Sequence, residues 1–175
     1  MKRLAEIFAL CLAFSAAAHA LEVTGTVPVE VKGAAKADFA FSELTVNGVS
    51  YEKAAVVMPV TESKGKTFSD VKLLSKKLYL KIEACFKNGC VKPAKAPAAP
   101  KVKVGAFHPL KSKTRVANAD ISFDGDLLVV AGVMVSSKEP GAFWVAFPDE
   151  VAFSNPAFKS AVESAVIAAW TKKSK

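Results

Sequence analysis

The stretches AKADFAFS (Ala35–Ser42) and ANADISFD (Ala117–Asp124) decide the fold, because one chain writes the same strand pattern twice. Each sets apolar residues at every second position, Phe39 and Phe41 in the first and Ile121 and Phe123 in the second. A period of two is the pattern of a half-buried β-strand. The likeness resumes downstream, where Leu44 to Pro59 aligns without gaps against Val133 to Pro148, with seven extra residues in the second copy between the two matches. That block ends as AAVVMP in one copy and FWVAFP in the other, an apolar strand closed by Pro59 and by Pro148. Self-similarity over this length predicts two units of one architecture.

Further strands follow from composition. Leu44 and Val46 continue the alternation, and the runs Leu127 to Val135 and Phe143 to Phe147 are rich in Val and aromatics. Asp124-Gly125 favours a tight hairpin turn, and Lys138 to Gly141 makes a second turn with Pro and Gly. Helices are expected at the end of each copy. Residues Asp70 to Phe86 place Val71, Leu74, Leu78, Ile82 and Cys85 at steps of three and four. Asn155-Pro156 supplies an N-cap and a first-turn proline, with Phe158, Val162, Ala165, Val166, Ala169 and Trp170 on the buried side. The expected fold class is α+β: two small repeats, each an antiparallel sheet followed by one helix.

Between the repeats runs VKPAKAPAAPK, Val91 to Lys101, whose prolines block helix and ladder hydrogen bonds and which has little to bury. It reads as an extended linker dividing residues 21–90 from residues 102–175. Residues 1–20 read differently. Lys2 and Arg3 precede an apolar run from Ile7 to about Phe14, and Ala18-His19-Ala20 ends the segment in small residues. This is the order of a cleavable signal peptide, too short to span a bilayer, which needs roughly 20 apolar residues. Cleavage after Ala20 and a periplasmic or secreted location are expected. Cys11 follows Leu10 rather than a small residue and lies early in the apolar run, which argues against lipidation.

Removal of Lys2, Arg3 and Glu6 with the leader leaves 22 basic and 15 acidic residues of the original 24 and 16. The excess is spread along the chain, and Arg115 is the one arginine left, so bidentate reading of guanine or phosphate has little to draw on. Cys85 and Cys90, in CFKNGC, form an even pair for an oxidising compartment, with Asn88-Gly89 as the turn between them. A disulfide is the expectation; two free thiols are the alternative. Enzyme chemistry is not expected. With His108 the one histidine beyond the leader, and without a Gly-rich phosphate loop, HExxH or CxxC, the inventory lacks a triad, a zinc site and a nucleotide pocket. Asp124 and Asp126 flank a glycine, but a lone DGD falls short of the 6 to 8 oxygens calcium takes. No cofactor and no metal are expected.

The pattern resembles the SpoVG family, bacterial septation regulators that bind nucleic acid. In the second copy the resemblance rests on Val102 to Leu110 as an opening strand, a turn around Lys111 to Arg115, the hairpin Ala117 to Val135, and Phe143 to Pro148. The first copy contributes Met58-Pro59, then Gly65, Phe68 and Asp70 leading into the helix. The resemblance implies a non-enzymatic regulator of cell septation with nucleic acid as partner. It also implies a dimer in which sheets meet, so two copies in one chain predict a monomer with internal pseudo-twofold symmetry, a homodimer being the other arrangement. Two departures stand against a simple transfer. The family is cytoplasmic whereas this chain carries an export signal, and the second helix has only Lys159 before Lys172, Lys173 and Lys175.

Candidate nucleic-acid contacts are Lys72, Lys76, Lys77 and Lys81, assigned with Lys87 to the first helix, and Lys111, Lys113 and Arg115 in the turn. The helix lysines have a plainer reading as a solvated surface, with Glu83 and Lys87 as an i,i+4 pair. Trp144 is the candidate stacking platform, since alternation sends Phe143 and Phe147 to the opposite face. An exported module of the same fold with an envelope protein or small ligand as partner is the second functional expectation.

Overall fold

A computed structural model describes residues 21–30, 35–63 and 65–174. The signal peptide expected at residues 1–20, with Cys11, lies outside the described residues. Among the described residues the fold is α+β with antiparallel sheets and two helices. Its centre is a pair of hairpins. Strands β2 (Ala35–Phe41) and β3 (Leu44–Glu52) form one, and β9 (Arg115–Phe123) and β10 (Leu127–Val135) form the other. The Asp-Gly turn forms as expected, with Asp124 at φ 51° and Gly125 at φ 73°. A side chain at either position meets the steric penalty of the left-handed region, which Gly escapes and Asp tolerates.

Each hairpin gains two flanking strands. Strand β1 (Gly25–Val29) pairs with β2, and β4 (Ala55–Val57) pairs with β3. Strand β8 (Val102–Pro109) pairs with β9, and β11 (Phe143–Ala146) pairs with β10. A small hairpin of β5 (Thr61–Ser63) and β6 (Lys66–Phe68) stands apart. Two strands cross the Pro-rich segment. Strand β7 (Val71–Leu73), from before it, lies antiparallel to β10, and β12 (Val151–Phe153), from after it, lies antiparallel to β3. The sheets are therefore β1-β2-β3-β12 with β4, and β11-β10-β9-β8 with β7.

The helix expected from Asp70 starts later. Val71 pairs with Val129 and Leu73 with Leu127, so this stretch is strand, and Lys72 lies on β7 rather than on a helix. Ser75 is the switch: its backbone is extended and its hydroxyl accepts from Leu78 N–H at 3.1 Å, capping α1 (Lys76–Asn88). Leu74, assigned to the helical stripe, is exposed. The three-and-four spacing began with a strand residue by coincidence. Helix α2 (Pro156–Lys173) begins as expected, with Asn155 Oδ1 accepting from the N–H groups of Ala157 and Phe158. Val162 and Val166 are its buried residues, whereas Ala165 faces solvent.

One core joins the two halves. It takes Phe39, Phe41, Leu44 and Val46 from the first hairpin and Ile121, Phe123, Leu127 and Val129 from the second. Leu78, Ile82, Val162 and Val166 add the helices. Fully burying a side chain of this size is worth about 1.5–3 kcal/mol, so the shared core is the main force holding the halves together. Residues 21–24 run into the same core, with Leu21 and Val23 buried and Thr24 N–H donating to Ala40 O at 2.8 Å. Cys85 and Cys90 stand at disulfide distance, Cα–Cα 4.2 Å, across the turn that closes α1, where Gly89 N–H donates to Cys85 O. Among the described residues, no helix is long and apolar enough to cross a membrane.

Candidate functional site

Strand alternation gives the second sheet two unlike faces. Leu127, Val129, Ala131 and Val133 point into the core, and the residues between them, Leu128, Val130, Gly132 and Met134, face the other way. Residues directly opposite on neighbouring strands share a face. Met134 lies opposite Trp144 on β11 and opposite Arg115 on β9, so Trp144, Met134 and Arg115 form one row across three strands. Trp144 is 49% exposed, which puts its indole at the surface as the alternation predicted.

Arg115 is held in place along this row. Its Nε donates to Asn118 Oδ1 at 2.8 Å, and a Cβ added at Gly132 would stand 2.7 Å from that nitrogen. The guanidinium end therefore crosses the sheet in space that any larger residue at Gly132 would occupy. A planar cation in the same row as an exposed indole, with four N–H donors left after the bond to Asn118, is the combination that stacks on bases and binds phosphate.

The turn leading into β9 adds charge at the same end. Lys111 and Lys113 are exposed, and the turn is ordered by Ser112 Oγ, which accepts from the N–H groups of Thr114 and Arg115. Val135 N–H donates to Thr114 O at 2.8 Å and ties the turn to the end of β10. Lys138, in the loop between β10 and β11, is exposed at this end as well. Lys72 shares the outer face, opposite Leu128, but lies six residues along β10 from Met134, about 20 Å at 3.4 Å per residue.

The α1 lysines are elsewhere. Phe86 of α1 packs on Phe39 and Tyr51 of the first sheet, so Lys76 and Lys77 project from a helix attached to the other sheet. Lys81 is engaged, 2.6 Å from Glu22 Oε1 and donating to Leu21 O at 3.3 Å. Lys87 has its pKa raised, first by the hydrogen bond to Glu83 and next by that to Tyr51. Of the lysines assigned to one helix face, one is on a strand and two have anionic partners.

Sequence reasoning missed Met134, Asn118 and the contact of His108 Nε2 with Asp120 Oδ2 at 3.0 Å. Asn118 and Asp120 are the polar alternates of the deciding strand, so their shared face was legible; their partners on β8 and β10 were not. The outer side of the first sheet has the opposite character. Asp38, Glu52, Asp149 and Glu150, with Lys36, line a groove of about 660 Å³ there. Among the described residues, no group of three or more His, Cys, Asp and Glu side chains is placed to hold a metal ion. No family model, curated protein or solved structure matches the chain.

Proposed function

We propose that the chain is a non-enzymatic binding module built from two SpoVG-like units, and that the outer face of its second sheet binds single-stranded nucleic acid. The row Trp144–Met134–Arg115, with Trp144 exposed, Met134 and Arg115 half-buried and Lys111 and Lys113 flanking it, carries this reading. Stacking on such a platform is worth about 1 to 3 kcal/mol per base, and the cations track the backbone without reading sequence. Control of septation is the process the resemblance attaches to such binding.

The internal pairing of two units is part of the proposal, and the strand registers support it. Phe41 lies opposite Leu44 as Phe123 lies opposite Leu127, and Tyr51 opposite Val56 as Val133 opposite Val145. Val71 and Leu73 then precede the cap Ser75 as Val151 and Phe153 precede Asn155. In this correspondence Leu44 takes the place of Leu127, not of Val133, so the ungapped alignment fails at its beginning and holds at Pro59 and Pro148. Each unit gives its last strand to the other, which makes the chain a pseudo-twofold monomer. Sedimentation at low micromolar concentration should return the mass of one chain; twice that mass contradicts the internal pairing.

A second reading is favoured by residues 1–20, whose charged, apolar and small-residue order is that of an export signal. An exported chain acts in the periplasm or outside the cell, with an envelope protein or small ligand as its partner. Fractionation of cells decides between the settings: recovery in the cytoplasm at full length supports the regulator, and recovery of a shortened chain in the periplasm or medium supports the exported module. Binding itself is tested with a labelled single-stranded oligonucleotide. Four cations, Lys72, Lys111, Lys113 and Arg115, give a slope of log affinity against log salt of about −3, at roughly −0.7 per phosphate on single strands.

A further inference from the structure

Asp126 sits in the β9–β10 turn with 8% of its surface exposed, and its carboxylate accepts from the backbone N–H of Leu21 at 2.7 Å, Asp126 Oδ2 being the acceptor. The contact is buried and joins residues 105 apart in the sequence. Among the described residues, no Lys, Arg or His side chain makes an ion pair with Asp126. A neutral amide is a weak counterpart for a buried carboxylate, because removing a charge from water costs several kcal/mol unless a charge pairs with it. Leu21 is also the first residue after the small-residue end Ala18-His19-Ala20. Its side chain is 2% exposed, so the nitrogen is fixed on Asp126 by a buried anchor.

We infer that Asp126 is a socket for the mature amino terminus, and that leader removal converts the Leu21 amide into the α-ammonium this carboxylate requires. The inference rests on the signal-peptide reading of residues 1–20. In the step, a leader-cleaving protease directs water onto the Ala20–Leu21 peptide bond. The carboxylate product stays with the leader at Ala20; the amine stays on Leu21 and takes up a proton. Around Leu21 stand the anions Asp126, Glu22 and Asp124 and the cations Lys81, Lys95 and Lys101. Among the described residues it is the Leu21 nitrogen that is hydrogen-bonded to the Asp126 carboxylate, and processing places a positive charge on that nitrogen. The 2.7 Å separation suits a charge-assisted N–H···O bond. The α-ammonium then pins the residues preceding β1 to a turn of the second hairpin, so processing fastens the two halves.

The amino terminus of the exported chain, read by mass spectrometry, comes first. A start at Leu21 is expected; a start elsewhere overturns both the leader reading and the socket. On the chain beginning at Leu21, the α-amine is then labelled with an amine-reactive ester at neutral pH. A docked α-amine reacts at least tenfold more slowly than that of a free peptide of residues 21–26, and Asp126→Asn restores the free rate. Labelling of the folded chain at a rate within twofold of the peptide overturns the socket while leaving the leader reading intact. Should Asp126→Asn not fold, the unsubstituted chain's labelling rate decides.

Discussion

Arg115 is the one arginine of the chain besides Arg3, and the place of its guanidinium depends on a glycine on the next strand. Gly132 leaves the space over β10 in which the guanidinium lies, because a Cβ there would come within 2.7 Å of Arg115 Nε. Gly132→Ala keeps every cation and the indole, yet it displaces the guanidinium. We expect it to weaken oligonucleotide binding, though less than Arg115→Ala does because the charge is kept, measured by fluorescence anisotropy. Trp144→Ala removes the platform and should cost about 1–3 kcal/mol of binding. With its indole half exposed, it should change thermal stability far less than a core truncation does. Trp144 was legible in the sequence because alternation separates it from Phe143. Arg115's posture was not, since it depends on a cross-strand neighbour that lies 17 residues away and has no side chain.

Among the elements, the helix starts divide what local pattern can and cannot say. Asn155-Pro156 announces α2 because cap and first-turn proline are adjacent in sequence. The stretch before α1 carries an equally good cap in Ser75, but Val71 and Leu74 extend the apolar spacing past it and conceal β7. Strand β7 exists because β10 offers Leu127 to Val129 as a partner, and that partner is a tertiary fact. The same reason hides β12, three residues paired with β3 from the far half. Ser75→Ala should destabilise the protein by about 1 kcal/mol through the lost cap. Leu78→Ala, at a fully buried position on the same helix, should cost about 2–5 kcal/mol. Chemical denaturation checks both, and equal effects would contradict the assignment of Ser75 as the start of α1.

At the scale of the whole molecule, strands β7 and β12 each complete a sheet in the other half, and one core runs through both. Neither half then unfolds alone without exposing the other's core. Thermal unfolding should be a single transition with matching calorimetric and van't Hoff enthalpies, and two separated transitions would contradict the shared core. Cleavage at a protease site placed within residues 91–101 should leave the halves associated on a sizing column. The α+β class was readable in the alternating strand pattern; the pairing of β7 and β12 across the Pro-rich segment was not, because both strands are only three residues long. The proposed binding face has its most direct test in the titration of the chain with a fluorescent single-stranded oligonucleotide between about 50 and 200 mM salt. Saturable binding at about 50 mM, falling steeply across that range and weakened by both Trp144→Ala and Arg115→Ala, is the predicted result. No binding at about 50 mM salt, or binding that neither substitution alters, would contradict it.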